Sequence, residues 1–182
     1  LGGTDVTSSG NYAVVVGGTT TGSSATLTEH TASGDYSVLI GGAGNEAGGK
    51  RAIIAGGTNS TTSAEDAMIV GGSENEAGAK NALVLGGEDN TADGQDSVLA
   101  GGYKNETQSS TQAIFGGVNN TTTTGEYAAI FGGENNTASQ EAAVVVGGTG
   151  NTATGKHSLT LGAMSDGASN SATSEFEVAL GE

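Results

Sequence analysis

The sequence predicts an all-β fold, a single parallel β-solenoid with about 15 residues in each coil. A Gly-Gly pair recurs at a nearly constant interval, and the chain contains 34 glycines and no proline. Short apolar runs of β-branched residues precede most of these pairs, and Asn and Ala keep a fixed distance after them. Self-similarity at a fixed period indicates a repeat architecture in which each unit stacks on the next.

The interval between Gly-Gly pairs defines the coil. Most steps are 15 residues, one is 24 and one is 16. The pairs begin at Gly2, Gly17, Gly41, Gly56, Gly71, Gly86, Gly101, Gly116, Gly132 and Gly147, and Gly162-Ala163 is a variant. We number each coil from the first glycine of its pair, and in the two longer coils the residues after the insertion take the numbers of their equivalents in a 15-residue coil. Two glycines in every repeat would each cost a helix about 1 kcal/mol, so the repeats favour strands.

Two strands are predicted in each coil, one over positions 12 to 15 and a shorter one over positions 5 to 7. The Gly pair follows the first strand, where a sharp corner calls for positive φ. Asn at position 5 lies at another corner and can bond to the Asn one coil away. Positions 5 and 7 are expected to point inward. About eleven coils at the strand spacing give a rod of roughly 50 Å.

Position 14 is the basis of the predicted oligomer interface. Alternation along a strand places positions 13 and 15 on one face and 14 on the other. We expect 13 and 15 to face the core, which leaves position 14 as an exposed aliphatic row that another chain, or a missing part of this one, would cover. The predicted interface residues are Ile54, Ile69, Val84, Leu99, Ile114, Ile130 and Val145.

The charge and composition restrict the classes of partner. The formal net charge is −15, from 20 acidic and 5 basic residues. Such a surface repels phosphates and anionic lipid, so nucleic acid and direct membrane insertion by this segment are not expected. Cysteine is absent, and no apolar run reaches the ~20 residues that span a bilayer.

Residues 1–182 are expected to form one domain, with an insertion near 19–31 and a modified last coil at 163–182. The sequence starts in the middle of a repeat. It is therefore interpreted as a segment of a longer rod that neighbouring sequence continues.

Catalytic chemistry has little support, and no enzyme activity, cofactor or metal is predicted. His30 and His157 are expected to be polar surface residues, and Glu46, Glu76 and Glu106 share position 6 as solvated neighbours. Calcium-binding β-rolls use a nine-residue unit that is not found here. Ice binding would need a Thr-x-Thr ladder, whereas residues 19–21 and 121–124 read as local clusters.

The insertion is the best candidate for a special surface. Loops that project from a solenoid often carry binding sites. Leu27, Glu29 and His30 are the candidate ligand-binding residues, and a loop without a function is the alternative.

The repeat resembles the head of trimeric autotransporter adhesins, the YadA-like head family in its Gly-Gly-rich variety. The consensus is Asn-x-Ala-x-Gly-x-x-Ser-x-x-x-Gly-Gly, with good local copies at residues 31–42 and 90–98. The resemblance covers residues 2 to 162. It implies a left-handed β-roll, side-by-side packing of three chains, a coiled-coil stalk and an outer-membrane anchor beyond this segment. The middle position of the family's strand, commonly Ala, matches Ile54 or Val84 here.

The expected function is attachment. A rigid homotrimeric rod on the bacterial cell surface would bind host cells, extracellular matrix or other cells, and three copies would raise avidity. The alternative is a structural spacer in a phage tail fibre or extracellular filament. A carbohydrate-active β-helix is a third hypothesis, but it would need longer coils and a carboxylate cluster. The ligand itself is not encoded in any motif that we identify.

Overall fold

The chain folds as a parallel β-solenoid in the computed structural model, which describes residues 6–18, 29–162 and 169–181. The strands form two parallel sheets of 11 strands each. The solenoid makes about ten turns, with about 15 residues in each turn. The first sheet contains β1 Val6–Ser8, β3 His30–Ala32, β5 Glu46–Ala47, β7 Thr61–Thr62, β9 Glu76–Ala77, β11 Thr91–Ala92, β13 Glu106–Thr107, β15 Thr121–Thr122, β17 Thr137–Ala138, β19 Thr152–Ala153 and β21 Ser171–Ala172. The second sheet contains β2 Val14–Val16, β4 Val38–Ile40, β6 Ile53–Ala55, β8 Met68–Val70, β10 Leu83–Val84, β12 Val98–Leu99, β14 Ala113–Ile114, β16 Ala129–Phe131, β18 Val144–Val146, β20 Leu159–Leu161 and β22 Val178–Leu180.

Each strand pairs with the equivalent strand of the next coil, so the repeat period becomes the sheet register. Ile53 lies opposite Met68 and Glu46 lies opposite Thr61, both 15 residues further on. A third ladder of single bridges runs through position 3, from Ala43 to Thr149. The predicted all-β parallel solenoid is confirmed, and the described residues contain no helix.

The Gly pair turns the corner as predicted. Gly71 and Gly72 have φ values of 72° and 85°. A Cβ on Gly72 would collide with the carbonyl oxygen of Gly87 in the next coil and with the side-chain amide of Asn75. The second glycine of the pair is therefore required both by its left-handed backbone and by the closeness of its neighbours.

Position 5 forms a buried asparagine ladder inside the solenoid. The Asn90 backbone N–H donates to Asn75 Oδ1 at 3.1 Å, and Asn90 Nδ2 donates to the Gly102 carbonyl at 3.0 Å. Asn105 N–H then donates to Asn90 Oδ1 at 3.0 Å. Each amide thus satisfies backbone groups in its own corner and in the adjacent coils, and the predicted inward orientation of positions 5 and 7 is confirmed.

The strand of the second sheet has the opposite orientation to the one predicted. Positions 12 and 14 point inward, and positions 13 and 15 point outward, as the partly buried, buried and exposed sequence of Met68, Ile69 and Val70 shows. The prediction that side chains alternate between the two sides of the strand is correct, but the side assigned to each residue is wrong. The reason is that positions 13, 14 and 15 are all apolar. Position 12, which is Ala or Ser in most coils, carries the missing information, since it lies on the same face as position 14.

Candidate functional surfaces

The predicted interface row at position 14 is the core of the solenoid. These side chains have no solvent exposure, and they pack against the alanines of positions 7 and 12. The row consists of Ile54, Ile69, Val84, Leu99, Ile114, Ile130 and Val145, and another chain cannot contact it while the coil is folded. The assignment of these residues to an oligomer interface is therefore wrong.

The exposed apolar surface lies on the other face of the same strands. Positions 13 and 15 of the second sheet form two neighbouring columns, which we call the apolar face. Position 13 holds Val14, Val38, Ile53, Met68, Leu83, Val98, Ala113, Ala129, Val144, Leu159 and Val178, and position 15 holds Val16, Ile40, Ala55, Val70, Leu85, Ala100, Phe115, Phe131, Val146, Leu161 and Leu180. Every one of them is apolar, in a chain with a net charge of −15.

Two phenylalanines give the apolar face its largest side chains. The rings of Phe115 and Phe131 stack with centroids 5.1 Å apart and an interplanar angle of 9°. Phe131 nevertheless remains 48% exposed. The stack is held in place by the strand register and leaves one side of each ring pair open to a partner.

The candidate binding loop is only partly described. Glu29 is exposed, while Leu27 lies outside the described residues. Glu29 borders an open depression of about 340 Å³, lined by Glu29, Thr31, Gly44, Glu46, Asn59 and Thr61. Within the described ranges, no group of three His, Asp or Glu side chains is arranged to hold a metal ion.

His30 is a buried residue of β3 and does not belong to an exposed loop, so its predicted surface position is wrong. It occupies the position of the asparagine ladder, and its Nδ1 accepts a hydrogen bond from the Asn45 N–H at 3.3 Å. Burial lowers the pKa of His30 below its ordinary value of 6.5. Its Nε2 has no partner among the described residues. The ring therefore replaces an asparagine in the ladder, while His157 lies exposed beside Phe176 as a surface residue.

Most of the basic residues lie along one corner of the coil, at positions 10 and 11. Arg51 donates to Asp66 at 2.6 Å and to Glu65 at 2.7 Å, and Lys156 pairs with Glu141 at 2.6 Å. Hydrogen bonds from Arg51 lower the pKa values of both Glu65 and Asp66. These pairs join adjacent coils, so the corner uses its positive charges to support the register and not to form a basic patch.

No family model matches this chain, and no curated protein matches it. Among the residues that the structure describes, no helix is long or apolar enough to span a bilayer.

Proposed function

We propose that this chain is the head of a surface-displayed adhesin, a rigid rod that assembles side by side into a homotrimer and binds host cells, matrix or other cells. The observation that carries this proposal is the apolar face of the second sheet. The number of chains, the attachment function and the location on a bacterial surface rest on the resemblance of the repeat to YadA-like heads.

The size of the apolar face supports association with another copy. Eleven strands about 4.8 Å apart and two columns about 7 Å apart give a flat area on the order of 350 Å². This area does not include the additional surface of the protruding side chains. The largest apolar patch on a typical monomer measures about 300–600 Å² and is often functional, so this face has the size of an interaction site. Full burial of a large aliphatic or aromatic side chain is worth about 1.5–3 kcal/mol, and eight large residues of the position-15 column are at least 40% exposed.

The absence of charge on this face supports a copy of the same chain as the partner. Two copies with a net charge of −15 repel each other wherever their acidic surfaces meet. The apolar face carries no ionisable residue along the described coils, so it is where two such rods can approach at the lowest electrostatic cost. Its regular period also allows each copy to present the same residues along the whole contact.

The assembly is tested with Phe131→Asp and a matched control, Tyr127→Asp. Both variants change an exposed aromatic residue of the same coil. Tyr127 lies outside the apolar face, at position 11, where two other coils carry Asp66 and Asp96. Light scattering should give three times 17.5 kDa for the wild type and for Tyr127→Asp, and a smaller mass for Phe131→Asp. A wild type that remains a 17.5 kDa monomer would contradict the assembly.

The attachment function is tested on the same three proteins. Wild type and Tyr127→Asp should be retained on immobilised matrix proteins or on cultured cells, and the dissociated Phe131→Asp should be retained less because its binding is no longer multivalent. A stable trimer that is retained on none of these surfaces would favour the spacer function over adhesion.

A further inference from the structure

A face rich in hydroxyl groups occupies the C-terminal part of the first sheet. It is built from the outward residues of β15, β17 and β19 at position 6, together with the residues at position 8. These are Thr121, Thr123, Thr137, Ser139, Thr152 and Thr154, and the coil of β21 extends the face with Ser171 and Thr173. We call this set the hydroxyl face.

The threonine cluster at 121–124 is part of a longer row, because Thr121, Thr137 and Thr152 all lie five residues after the first glycine of their coils, and the extra residue of the 16-residue step comes after position 8. The pairing of the strands agrees with this alignment. Thr121 lies opposite Thr137, Thr137 opposite Thr152, and Thr152 opposite Ser171. Position 8 stays in step as well, because the Thr123 N–H donates to the Ala138 carbonyl and the Thr154 N–H to the Ala172 carbonyl.

The hydroxyl face differs in its charge from the middle of the same sheet. In the coils of β5 to β13, positions 6 and 8 carry Glu46, Glu76, Asp93 and Glu106. In the coils of β15 to β21, the same positions carry no ionisable residue. The N-terminal coils of β1 and β3 also carry only Thr and Ser at these positions, and the charged middle of the sheet separates them from the hydroxyl face.

The hydroxyl groups form a two-dimensional array with a defined spacing. Neighbouring strands lie about 4.8 Å apart, and residues two apart on a strand lie about 6.6 Å apart. Water oxygens joined tetrahedrally at about 2.75 Å have second neighbours about 4.5 Å apart, and the axial repeat of hexagonal ice built from this contact is about 7.3 Å. Both repeats of the array lie within about a tenth of those of ice.

The side chains are suited to holding ordered water. Threonine is stiff at χ1, so its hydroxyl group loses little freedom when water binds. The hydroxyl groups of Thr121, Thr123 and Thr137 donate no hydrogen bond to another described residue, whereas Thr152 Oγ1 donates to Ser171 Oγ at 2.8 Å. The free hydroxyl groups are therefore available to bridge to water across the face.

We propose that the hydroxyl face binds ice. A crystalline polysaccharide also presents a periodic array of oxygens, but no aromatic ring lies on the hydroxyl face to stack on a sugar. The site belongs to the first sheet and the apolar face to the second, so ice binding does not depend on the proposed trimer or on adhesion.

The test compares Thr137→Tyr with the matched control Thr61→Tyr. Both residues are outward threonines at position 6, but Thr61 lies between Glu46 and Glu76, outside the hydroxyl face. The fluorescently labelled full chain is exposed to a slowly growing ice crystal, and its incorporation and the shape of the crystal are recorded. Circular dichroism confirms that each variant retains the fold.

Wild type and Thr61→Tyr should be incorporated into ice and should facet the crystal, and Thr137→Tyr should lose both effects. Exclusion of the wild type from ice, to the level of an inert protein, would overturn the proposal. Equal losses in the two tyrosine variants would overturn it too. The proposal would also be overturned if the wild type were excluded from ice but retained on crystalline cellulose, and if Thr137→Tyr reduced that retention.

Discussion

At the scale of single residues, a few side chains make the coil close. Asn105 illustrates this, because its side chain donates to the carbonyls of Gly101 and Gly117 and accepts from the Asn120 N–H. A buried amide in this position satisfies backbone groups that no water can reach, and each group left without a partner would cost about 1–3 kcal/mol. The asparagine is therefore repeated for a structural reason, although Ser60 and His30 show that the ladder tolerates substitution.

His30 makes the stability of the ladder depend on pH. Since the pKa of His30 is lowered by burial, the unfolded chain takes up a proton near pH 6.5 before the folded chain does. Stability is therefore complete above this value and declines as the pH falls toward the lowered pKa. Protonation also removes the acceptor that Nδ1 offers to the Asn45 N–H.

We expect His30→Asn to reduce the loss of stability on acidification, because asparagine is the common residue of the ladder and does not titrate. The measurement is the midpoint of denaturant unfolding between about pH 8 and about pH 5. His157→Asn, at an exposed position, is the matched control. If wild type and His30→Asn lose stability in parallel, His30 is not the group responsible.

At the scale of elements, each strand of the second sheet divides its apolar residues between two roles. Ile114 faces the core with no exposure, while the next residue, Phe115, is 47% exposed on the apolar face. The two positions are adjacent in sequence but belong to opposite sides of the sheet. A substitution at position 14 is expected to affect folding, and one at position 15 is expected to affect assembly.

We expect Ile114→Ala to lower the free energy of unfolding by about 2–5 kcal/mol, because the narrow core cannot refill the cavity. Ile114→Val should cost only about 0.5–1.5 kcal/mol, and valine already occupies this row at Val84 and Val145. Chemical denaturation of the two variants checks the difference. Equal and small effects would mean that position 14 is not the core.

At the scale of the whole molecule, the arrangement of surfaces follows from the repeat. A rod of stacked coils presents each coil position as a column along its length, so a preference at one position becomes a continuous surface. The apolar face, the charged corner and the hydroxyl face are three such columns or pairs of columns. Their separation around the coil allows one chain to combine self-association with contacts to other partners.

The net charge of −15 should make the proposed assembly sensitive to salt. The Debye length falls from about 30 Å at 0.01 M to about 8 Å at 0.15 M, so added salt screens the repulsion between rods and leaves the apolar contact intact. We expect sedimentation to show association that strengthens as salt rises, and Phe131→Asp to show much less of it. Dissociation of the wild type by salt would indicate a contact held by opposite charges and would contradict the apolar interface.

The sequence by itself determined the parallel β-solenoid, the length of its coil, the glycine corners and the inward asparagine ladder. Each depends on a period of 15 or on a backbone conformation that a single residue type favours, and both are readable from a chain that repeats itself. Only the tertiary structure decided which side of the second sheet faces the core. Three consecutive apolar residues, such as Val144, Val145 and Val146, include no polar residue to mark the outside of the strand. Which of them faces inward depends on how small the side chains across the core are. The structure likewise brought His30 into the core, because hydrogen bonding between coils determines the register across an insertion that interrupts the sequence period.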